Sequence, residues 1–388
     1  MIKRGIHNEI NRYLDSPDAL IVTGMRRVGK TTLLQQIYDE LSTKNKLFLD
    51  LEAPNDRKIL EGDNYEEIKI RLMARNLDFS QRCFIFLDEI QLLKNLPSVA
   101  KYFLDHYGVK FLMTGSASFY LKNLFTESLA GRKFIFELFP LSFSEFLAFK
   151  MPNLKIPPQP VVFDSGLFEL FAPHYEEYLV FGGFPGVVTR PTAEEKNKAI
   201  EDIFTSYFQN EVEKLGDFHH NEIVRDLILL LMERSGSRIS VAKISSELGI
   251  SSPTVSSYLA FLEQTYFIYL VRPYSQNRGV EIRKSPKIYF CDTGILNRFA
   301  RLDEGKIFEN AVYSALRSRG RVNYYQKKSG VEIDFILNKE EAFETKRTAG
   351  VHDIKRLRSL AGPLGISKIS LVAKNFTSQK DAVFGFSL

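Results

Sequence analysis

The chain has 388 residues, of which 44% are hydrophobic and 26% are charged. Its composition is typical of a globular protein, and its length exceeds the roughly 250–300 residues at which a single hydrophobic core stops growing. We therefore expect at least three folded units. A formal net charge of +5 is slight for this length, so composition alone does not indicate nucleic-acid binding.

The sequence contains no apolar run long enough to span a bilayer, and its first residues carry charge without an apolar signal region. We therefore predict a chain outside the membrane and a cytoplasmic location. The two cysteines, Cys83 and Cys291, are far apart and belong to no ligand-spaced pair. They predict buried thiols rather than a zinc site or a disulfide.

A glycine-rich loop follows the first apolar run of the chain. Residues 19–23 predict a strand and residues 33–38 predict a helix. The predicted nucleotide-binding residues between them are Gly24, Met25, Arg26, Arg27, Val28, Gly29, Lys30, Thr31 and Thr32. N–H groups at a helix start bind polyphosphate once glycines remove the Cβ obstruction. We predict a triphosphate bound with magnesium, Lys30 contacting the phosphates and Thr31 the metal; the alternative is a glycine turn without a ligand.

Two further apolar runs end in polar residues. Residues 83–87 are followed by Asp88 and Glu89, and residues 109–113 by Thr114. Ligands bind at the carboxyl edge of parallel sheets, so Asp88 is predicted to hold magnesium, Glu89 to activate water, and Thr114 to sense the γ-phosphate. Arg132 follows soon after and is predicted to reach a neighbouring subunit's phosphate, although exposed arginines often serve only to solvate a surface.

These segments resemble prokaryotic AAA+ ATPases, well represented in archaea, that carry an uncharacterised carboxyl-terminal domain. The resemblance rests on residues 24–31, 86–91, 114–116, 128–132, 140–146 and 182–185. It implies an ATP-dependent, homo-oligomeric switch or motor with adenine as the base, whereas the motifs alone indicate only a triphosphate. No clear second sensor arginine is present in the lid, where Arg190 is a weak candidate.

Beyond residue 140 the pattern becomes helical, with aromatic clusters and a turn at Gly182-Gly183-Phe184-Pro185. Residues 239–262 predict two short helices joined at Gly249 and look like a winged helix-turn-helix. The second helix has no arginine or lysine, so we do not expect it to recognise a particular DNA base sequence. Basic residues after it are predicted to contact DNA phosphates: Arg272, Arg278, Arg283, Lys284 and Lys287. The alternative is a helix-turn-helix used only for packing.

The last hundred residues predict a helix near 305–316, strands at 322–326, 332–337 and 342–346, a helix from 353 and a strand at 368–372. Glu344 and Lys346 share a strand face that Asp334 can reach from the paired strand. With Glu309 from the helix they resemble the PD-(D/E)xK nuclease superfamily, which implies carboxylates that hold a divalent metal (Asp334 and Glu344) and a lysine that positions water. An exposed ion pair on an inactive fold is the alternative.

The resulting prediction is an α/β chain of four parts: an AAA+ P-loop parallel-sheet domain (1–140), a helical lid or connector (141–230), a winged helix-turn-helix (231–290) and a nuclease-like domain (291–388). We expect a Mg²⁺-dependent ATPase that acts on DNA and carries a nuclease-like tail. A nucleotide-controlled switch or scaffold with an inactive tail is the second hypothesis.

Overall fold

The computed structural model describes residues 2–115, 129, 131–157, 164–213, 216, 221–275, 277–327, 329–379 and 381–388. The chain divides into two compact units. The first comprises Met1–Phe139 and Gln264–Tyr266, and the second comprises Pro140–Glu263 and Phe267–Leu388. The domain boundaries at 140, 230 and 290 remain predictions.

The first unit contains a parallel sheet with the strand order β2-β3-β4-β1-β5. Its strands are β1 (Ala19–Thr23), β2 (Lys46–Asp50), β3 (Phe84–Asp88), β4 (Lys110–Gly115) and β5 (Lys133–Glu137). β1, β3 and β4 are buried along their whole length, because residues on both faces of a parallel sheet are covered by helices. The apolar runs of the sequence predicted β1, β3 and β4.

Within the described residues, one helix of this unit precedes β1 and the others lie between successive strands. They are α1 (Gly5–Asn11), α2 (Lys30–Glu40), α3 (Pro54–Leu60), α4 (Tyr65–Met73) and α5 (Leu96–Tyr107). Since the strands are parallel, their carboxyl ends meet at one edge of the sheet. The first residues of α2 and the last residues of β3 and β4 therefore lie at the same edge.

After residue 140 the chain is mainly helical up to residue 264. The helices from here to the carboxyl terminus are α6 (Phe143–Lys150), α7 (Ser165–Phe181), α8 (Pro185–Val188), α9 (Ala193–Tyr207), α10 (Asn221–Met232), α11 (Val241–Leu248), α12 (Ser252–Gln264), α13 (Arg278–Arg283), α14 (Thr293–Phe299), α15 (Glu304–Arg317) and α16 (Val351–Ala361). Ser240 caps α11, and Gly249 ends it in the left-handed conformation, as the sequence predicts for the join between two helices.

An antiparallel pair of strands, β6 (Ile268–Val271) and β7 (Lys287–Phe290), follows α12. The remaining strands form a second sheet in the order β12-β11-β10-β9-β8. They are β8 (Val322–Gln326), β9 (Glu332–Leu337), β10 (Glu341–Lys346), β11 (Lys368–Ala373) and β12 (Ala382–Phe384). The predicted order of helix, three strands, helix and strand is present, and β12 adds a short parallel strand at the edge.

The Gly182-Gly183 turn packs against a buried carboxylate far along the chain. Asp292 accepts hydrogen bonds from the backbone N–H groups of Gly183 (2.7 Å) and Gly294 (2.9 Å), and it caps α14. Gly182 has φ +76°, and a Cβ placed on it would lie within 3.0 Å of three atoms of the Asp292 side chain. Only glycine fits this position, which explains the turn between α7 and α8.

Both cysteines are buried and free, in agreement with the sequence. Burial raises the pKa of the Cys83 thiol to about 11. Among the described residues, no helix is both long enough and apolar enough to cross a membrane.

Candidate functional sites

The glycine loop lies between β1 and α2 in a conformation that its glycines permit. A Cβ on Gly24 would lie within 3.0 Å of the carbonyl oxygen of Leu138, so the backbone of this neighbour fills the space. Gly29 stands at the start of α2 with φ +98°. Arg27 also has a positive φ, of 66°. The loop therefore begins at a point of close backbone approach and ends at a helix amino terminus, where N–H groups can bind an anion.

Lys30 is buried at the first position of α2. Its ammonium donates hydrogen bonds to the carbonyl oxygens of Gly24 (3.0 Å) and Met25 (2.9 Å). In a phosphate-binding loop, the N–H donors of this ammonium can turn from the carbonyl oxygens to phosphate oxygens. The side chain is thus folded back over the loop.

Asp88 and Thr114 meet at the carboxyl edge of the sheet, because they lie at the ends of the adjacent strands β3 and β4. The Thr114 hydroxyl donates a hydrogen bond to Asp88. The backbone N–H of Glu89 donates to the same hydroxyl at 3.4 Å. Thr114 therefore fixes both acidic residues at once.

Glu89 is half-buried and has a left-handed backbone, with φ 55°. Such a conformation is uncommon for a residue other than glycine and occurs often at functional positions. The side chain of Gln91 donates a hydrogen bond to the Glu89 carboxylate. This contact orients the carboxylate that the sequence assigns to water activation.

The oxygen ligands at this edge fit a magnesium ion by their chemistry. Asp88 is buried and offers a carboxylate, while Thr31 is exposed in the first turn of α2 and offers a hydroxyl. Mg²⁺ is usually held by one or two such protein oxygens, together with phosphate oxygens and water.

Arg132 lies at the amino ends of the strands, opposite to the carboxyl ends where the phosphate loop begins. Its backbone carbonyl accepts a hydrogen bond from the N–H of Ala19 at 3.0 Å, and Ala19 is the first residue of β1, whereas the loop follows the last. Its guanidinium pairs with Asp105. Arg132 is therefore remote from the phosphate loop of its own chain. Ser116 and residues 127, 128 and 130 of the neighbouring motifs lie outside the described residues.

In the second unit, the predicted acids line one cavity of about 480 Å³. Glu309, Asp334, Glu344 and Lys346 all contribute to its wall. The pairing of β9 with β10 brings Asp334 beside Thr345, whose N–H (2.8 Å) and hydroxyl (2.6 Å) donate to the Asp334 carboxylate. The four predicted residues are thus brought together from α15, β9 and β10.

Glu344 is buried among opposing charges. One of its oxygens accepts hydrogen bonds from Lys346 (2.9 Å) and from Arg356 of α16. The other oxygen is buried and has no hydrogen-bond partner among the described residues. Burial, together with the charge of Asp334, raises the pKa of Glu344. Sequence reasoning missed Arg356, because its helix begins five residues after β10 and no motif marks it.

Glu309 is held by three donors: Tyr289 (2.7 Å), Lys306 (3.3 Å) and Lys287 (3.4 Å). Burial raises the pKa of Glu309 despite the charge of Lys287. Burial by itself would lower the pKa of Lys287, but the carboxylates of Glu309, Asp334 and Glu332 outweigh this effect and raise it. These contacts make the Glu309 end of the cavity a buried, charge-paired cluster.

The prediction that Lys287 contacts DNA phosphates is therefore wrong. Lys287 is only 2% exposed, and it pairs with Glu309 and with Glu332 (3.1 Å). It lies on β7, whose four residues are all buried. Arg283 and Lys284 are exposed, as the prediction requires.

In the part of the chain that the structure describes, no three His, Cys, Asp or Glu side chains are placed to hold one metal ion. A metal in the cavity would therefore rely on two carboxylates, those of Asp334 and Glu344. The unpartnered oxygen of Glu344 fits such a ligand, and its ion pairs with Lys346 and Arg356 compete with it.

Two protein families match parts of the chain. Residues 16–147 match the family described as AAA domain, and residues 172–306 match a domain of unknown function, DUF8612. An uncharacterized protein of Methanocaldococcus jannaschii is 27% identical over 384 residues, which cover 94% of this chain and 84% of that protein. One of Haemophilus influenzae is 26% identical over 349 residues, covering 86% and 82%.

The structure of the Walker-type ATPase of Pyrococcus abyssi is similar with a TM-score of 0.49 and 16% identity, over 77% of this chain and 96% of that chain. The AAA match spans the glycine loop, Asp88, Glu89 and Thr114. Residues 16–147 are therefore similar to AAA domains, and this match supports ATP binding and hydrolysis.

Proposed function

We propose that the chain is a magnesium-dependent ATPase in which Glu89 activates the attacking water. The observation that carries this proposal is the contact of Thr114 with both Asp88 and Glu89 at the edge where the phosphate loop ends. Phosphoryl transfer is catalysed mainly by positioning and by compensation of charge.

Each residue has a role in this proposal. Lys30 binds the β- and γ-phosphate oxygens, and the N–H groups that follow Gly29 bind the phosphates at the start of α2. Thr31 and Asp88 would hold Mg²⁺, which supplies positive charge to the phosphates. Glu89 accepts the proton of the attacking water, and Thr114 keeps the two acids in register.

Replacing Glu89 tests the mechanism. Glu89→Gln keeps the side-chain shape but removes the proton acceptor, so we expect nucleotide affinity to be retained and kcat to fall by about 10²–10⁴. Glu61→Gln, an exposed acid of the same unit, is the control and should hydrolyse ATP at the wild-type rate. Turnover by Glu89→Gln at the wild-type rate would remove Glu89 from the mechanism.

We further propose that the protein binds DNA through a winged helix formed by α10 to α12 with β6 and β7. In support, α12 exposes small residues such as Ser256 and Ser257, and Arg283 and Lys284 are exposed between the two strands. Lysine and arginine contacts to phosphates provide affinity without sequence preference.

Removing the two exposed charges tests DNA binding. The variant Arg283→Ala/Lys284→Ala should bind duplex DNA more weakly and reduce the slope of log affinity against log salt by about one per lost contact. Lys101→Ala/Lys198→Ala removes the same charge from exposed positions elsewhere. Equal losses in both variants would indicate a net-charge effect and contradict a DNA-binding wing.

A second activity, metal-dependent cleavage of DNA, is favoured by the unpartnered oxygen of Glu344 in a cavity that also contains Asp334 and Lys346. Asp334 and Glu344 would hold the metal, which supplies positive charge to the phosphate. Lys346 positions the water, as the resemblance to PD-(D/E)xK nucleases implies.

Cleavage is tested with plasmid DNA and Mg²⁺ or Mn²⁺, with and without ATP, for wild type, Asp334→Ala and Lys346→Ala. We expect nicking by wild type only. If ATP is hydrolysed while no metal supports cleavage, the cavity is inactive and the protein is a nucleotide-controlled switch or scaffold.

We also propose a homo-oligomer in which Arg132 acts on the nucleotide of a neighbouring subunit, since it lies at the opposite sheet edge from its own phosphate loop. Arg132→Ala should then reduce ATP hydrolysis while the mass measured by light scattering is unchanged. Loss of assembly instead would assign Arg132 a structural role.

A further inference from the structure

The amino-terminal segment, residues 2–7, is attached to the helix that begins at the phosphate loop. The side-chain amide of Gln36 in α2 donates to the carbonyl of Ile2 at 3.2 Å. Lys3 pairs with Glu40 at the end of α2, at 2.8 Å. These two contacts hold the start of the segment against α2.

Within this segment, Arg4 reaches the phosphate loop itself. Its side chain is buried, and its guanidinium donates to the carbonyl oxygens of Val28 and Phe139, each at 2.8 Å. Val28 is inside the loop, and Phe139 follows β5. The two bonds come from different nitrogens of the guanidinium, Nη1 and Nη2, whose separation is fixed by its rigid plane, whereas a lysine would have to make both bonds from one nitrogen.

Because the peptide bond is planar, the contact with the Val28 carbonyl also sets the direction of the next N–H group. The Val28 carbonyl and the Gly29 N–H belong to one planar trans peptide, so they point in opposite directions. A guanidinium that holds the carbonyl from one side directs the Gly29 N–H to the other side, and this N–H stands at the helix start, where an anion binds. The positive φ angles of Arg27 and Gly29 on either side are conformations that need such support.

We propose that Arg4 is a positioning residue for the nucleotide: by holding the Val28 carbonyl, it sets the Gly29 N–H toward the phosphates. Its permanent charge adds to the positive potential at the start of α2. This inference rests on the proposed ATPase function of the same loop. A residue that lies well before the glycine motif in the sequence would then increase the affinity for nucleotide.

Two variants of Arg4 and one matched control test the inference on the full-length chain. Arg4→Ala removes both hydrogen bonds, and Arg4→Lys keeps the charge but not the fork. Lys3→Ala removes a neighbouring charge whose partner, Glu40, is remote from the loop at the far end of α2. Binding of an N-methylanthraniloyl derivative of ATP is measured by fluorescence, with far-UV circular dichroism and thermal unfolding as measures of folding.

We expect Arg4→Ala to bind the probe about ten times more weakly, as the loss of a hydrogen bond from a charged donor would produce. The KM for ATP should rise by a similar factor, with kcat within about threefold of wild type. Arg4→Lys should be intermediate, and Lys3→Ala should equal wild type. A merely structural role would lower thermal stability in Arg4→Ala and leave the affinity of the folded fraction unchanged.

Wild-type affinity in a folded Arg4→Ala variant would overturn the inference. If Arg4→Ala does not fold, Arg4→Lys decides: weaker binding by a folded lysine variant supports the role, and wild-type binding refutes it. Lys30→Ala separates the two proposals. Failure of the wild-type chain to bind more probe than Lys30→Ala would overturn the ATPase function and the role of Arg4 together, whereas tight wild-type binding with a silent Arg4 overturns only the latter.

Discussion

Replacing Gly182 by alanine is expected to destabilise the second unit severely. The new Cβ would lie within 3.0 Å of three atoms of the Asp292 side chain, which is itself buried. The carboxylate would have to turn away and give up the N–H donors of Gly183 and Gly294. Alanine would also have to adopt φ +76° with ψ −168°, a region that is almost exclusive to glycine.

The magnitude follows from these two effects. Backbone strain of this kind costs about 1–3 kcal/mol, and each hydrogen bond to a charged group contributes about 1.5–3 kcal/mol. Even the lower limits give a loss on the order of 4 kcal/mol in the free energy of unfolding. This is a large share of the roughly 5–15 kcal/mol that stabilises a typical domain.

Urea unfolding, followed by circular dichroism at 222 nm, measures the loss. Gly186→Ala is the matched control, because Gly186 lies in α8 and a Cβ there has no atom within 4 Å. Alanine should be neutral or stabilising at that position, since it is the better helix former. Because the chain has two compact units, the transitions must be resolved before they are compared.

A double-mutant cycle tests the cause. In an Asp292→Ala background the clash is absent, so Gly182→Ala should cost only the backbone strain of about 1–3 kcal/mol. The reasoning is refuted if Gly182→Ala is as stable as Gly186→Ala, or if its cost is the same with and without Asp292.

Three other predictions concern buried ionisable groups. Lys287→Met should cost about 3 kcal/mol in unfolding free energy, because it removes the buried cation that pairs with Glu309 and Glu332, while exposed Lys284→Met should change it by less than about 0.5 kcal/mol in denaturant titrations. Burial raises the pKa of Asp292 from 3.8 to about 6, so its folded form binds the proton more tightly. The free energy of unfolding should thus fall as pH rises between these two values in wild type but not in Asp292→Asn. Equal pH profiles of stability for the two proteins would contradict this prediction. Neither cysteine, including Cys83 with its raised pKa, should react with a thiol reagent until the chain is unfolded; rapid labelling of native protein would disprove their burial.

Local patterns in the sequence predicted much of the fold. β1 was predicted to the residue, because its apolar run ends at Gly24, whose missing side chain marks the turn. β2 was missed although it contains the short apolar run Leu47–Leu49, which is followed by Asp50. It is an edge strand and mostly half-buried, so its pattern is weaker than those of the central strands.

Contacts between distant residues could not be predicted in this way. Lys287 was assigned to the surface because its neighbours are basic, but its charge is buried against Glu309, 22 residues further along the chain. The hydrogen bond from Arg4 to Phe139 spans 135 positions, and that from Gly183 to Asp292 spans 109. Pairings at such separations are set by tertiary structure and leave no periodicity in one sequence.

The place of Tyr266 in the first unit limits how the chain can be cut into fragments or recombined during evolution. The chain leaves the first unit after Phe139, returns to it for Gln264–Tyr266, and leaves again, and the hydroxyl of Tyr266 donates to Glu137 at 3.3 Å. No single cut therefore yields both units whole: a fragment ending at residue 139 lacks three of its own residues. Recombination at that boundary would replace these three residues as well, so we expect the two units to have evolved as one piece rather than as exchangeable modules.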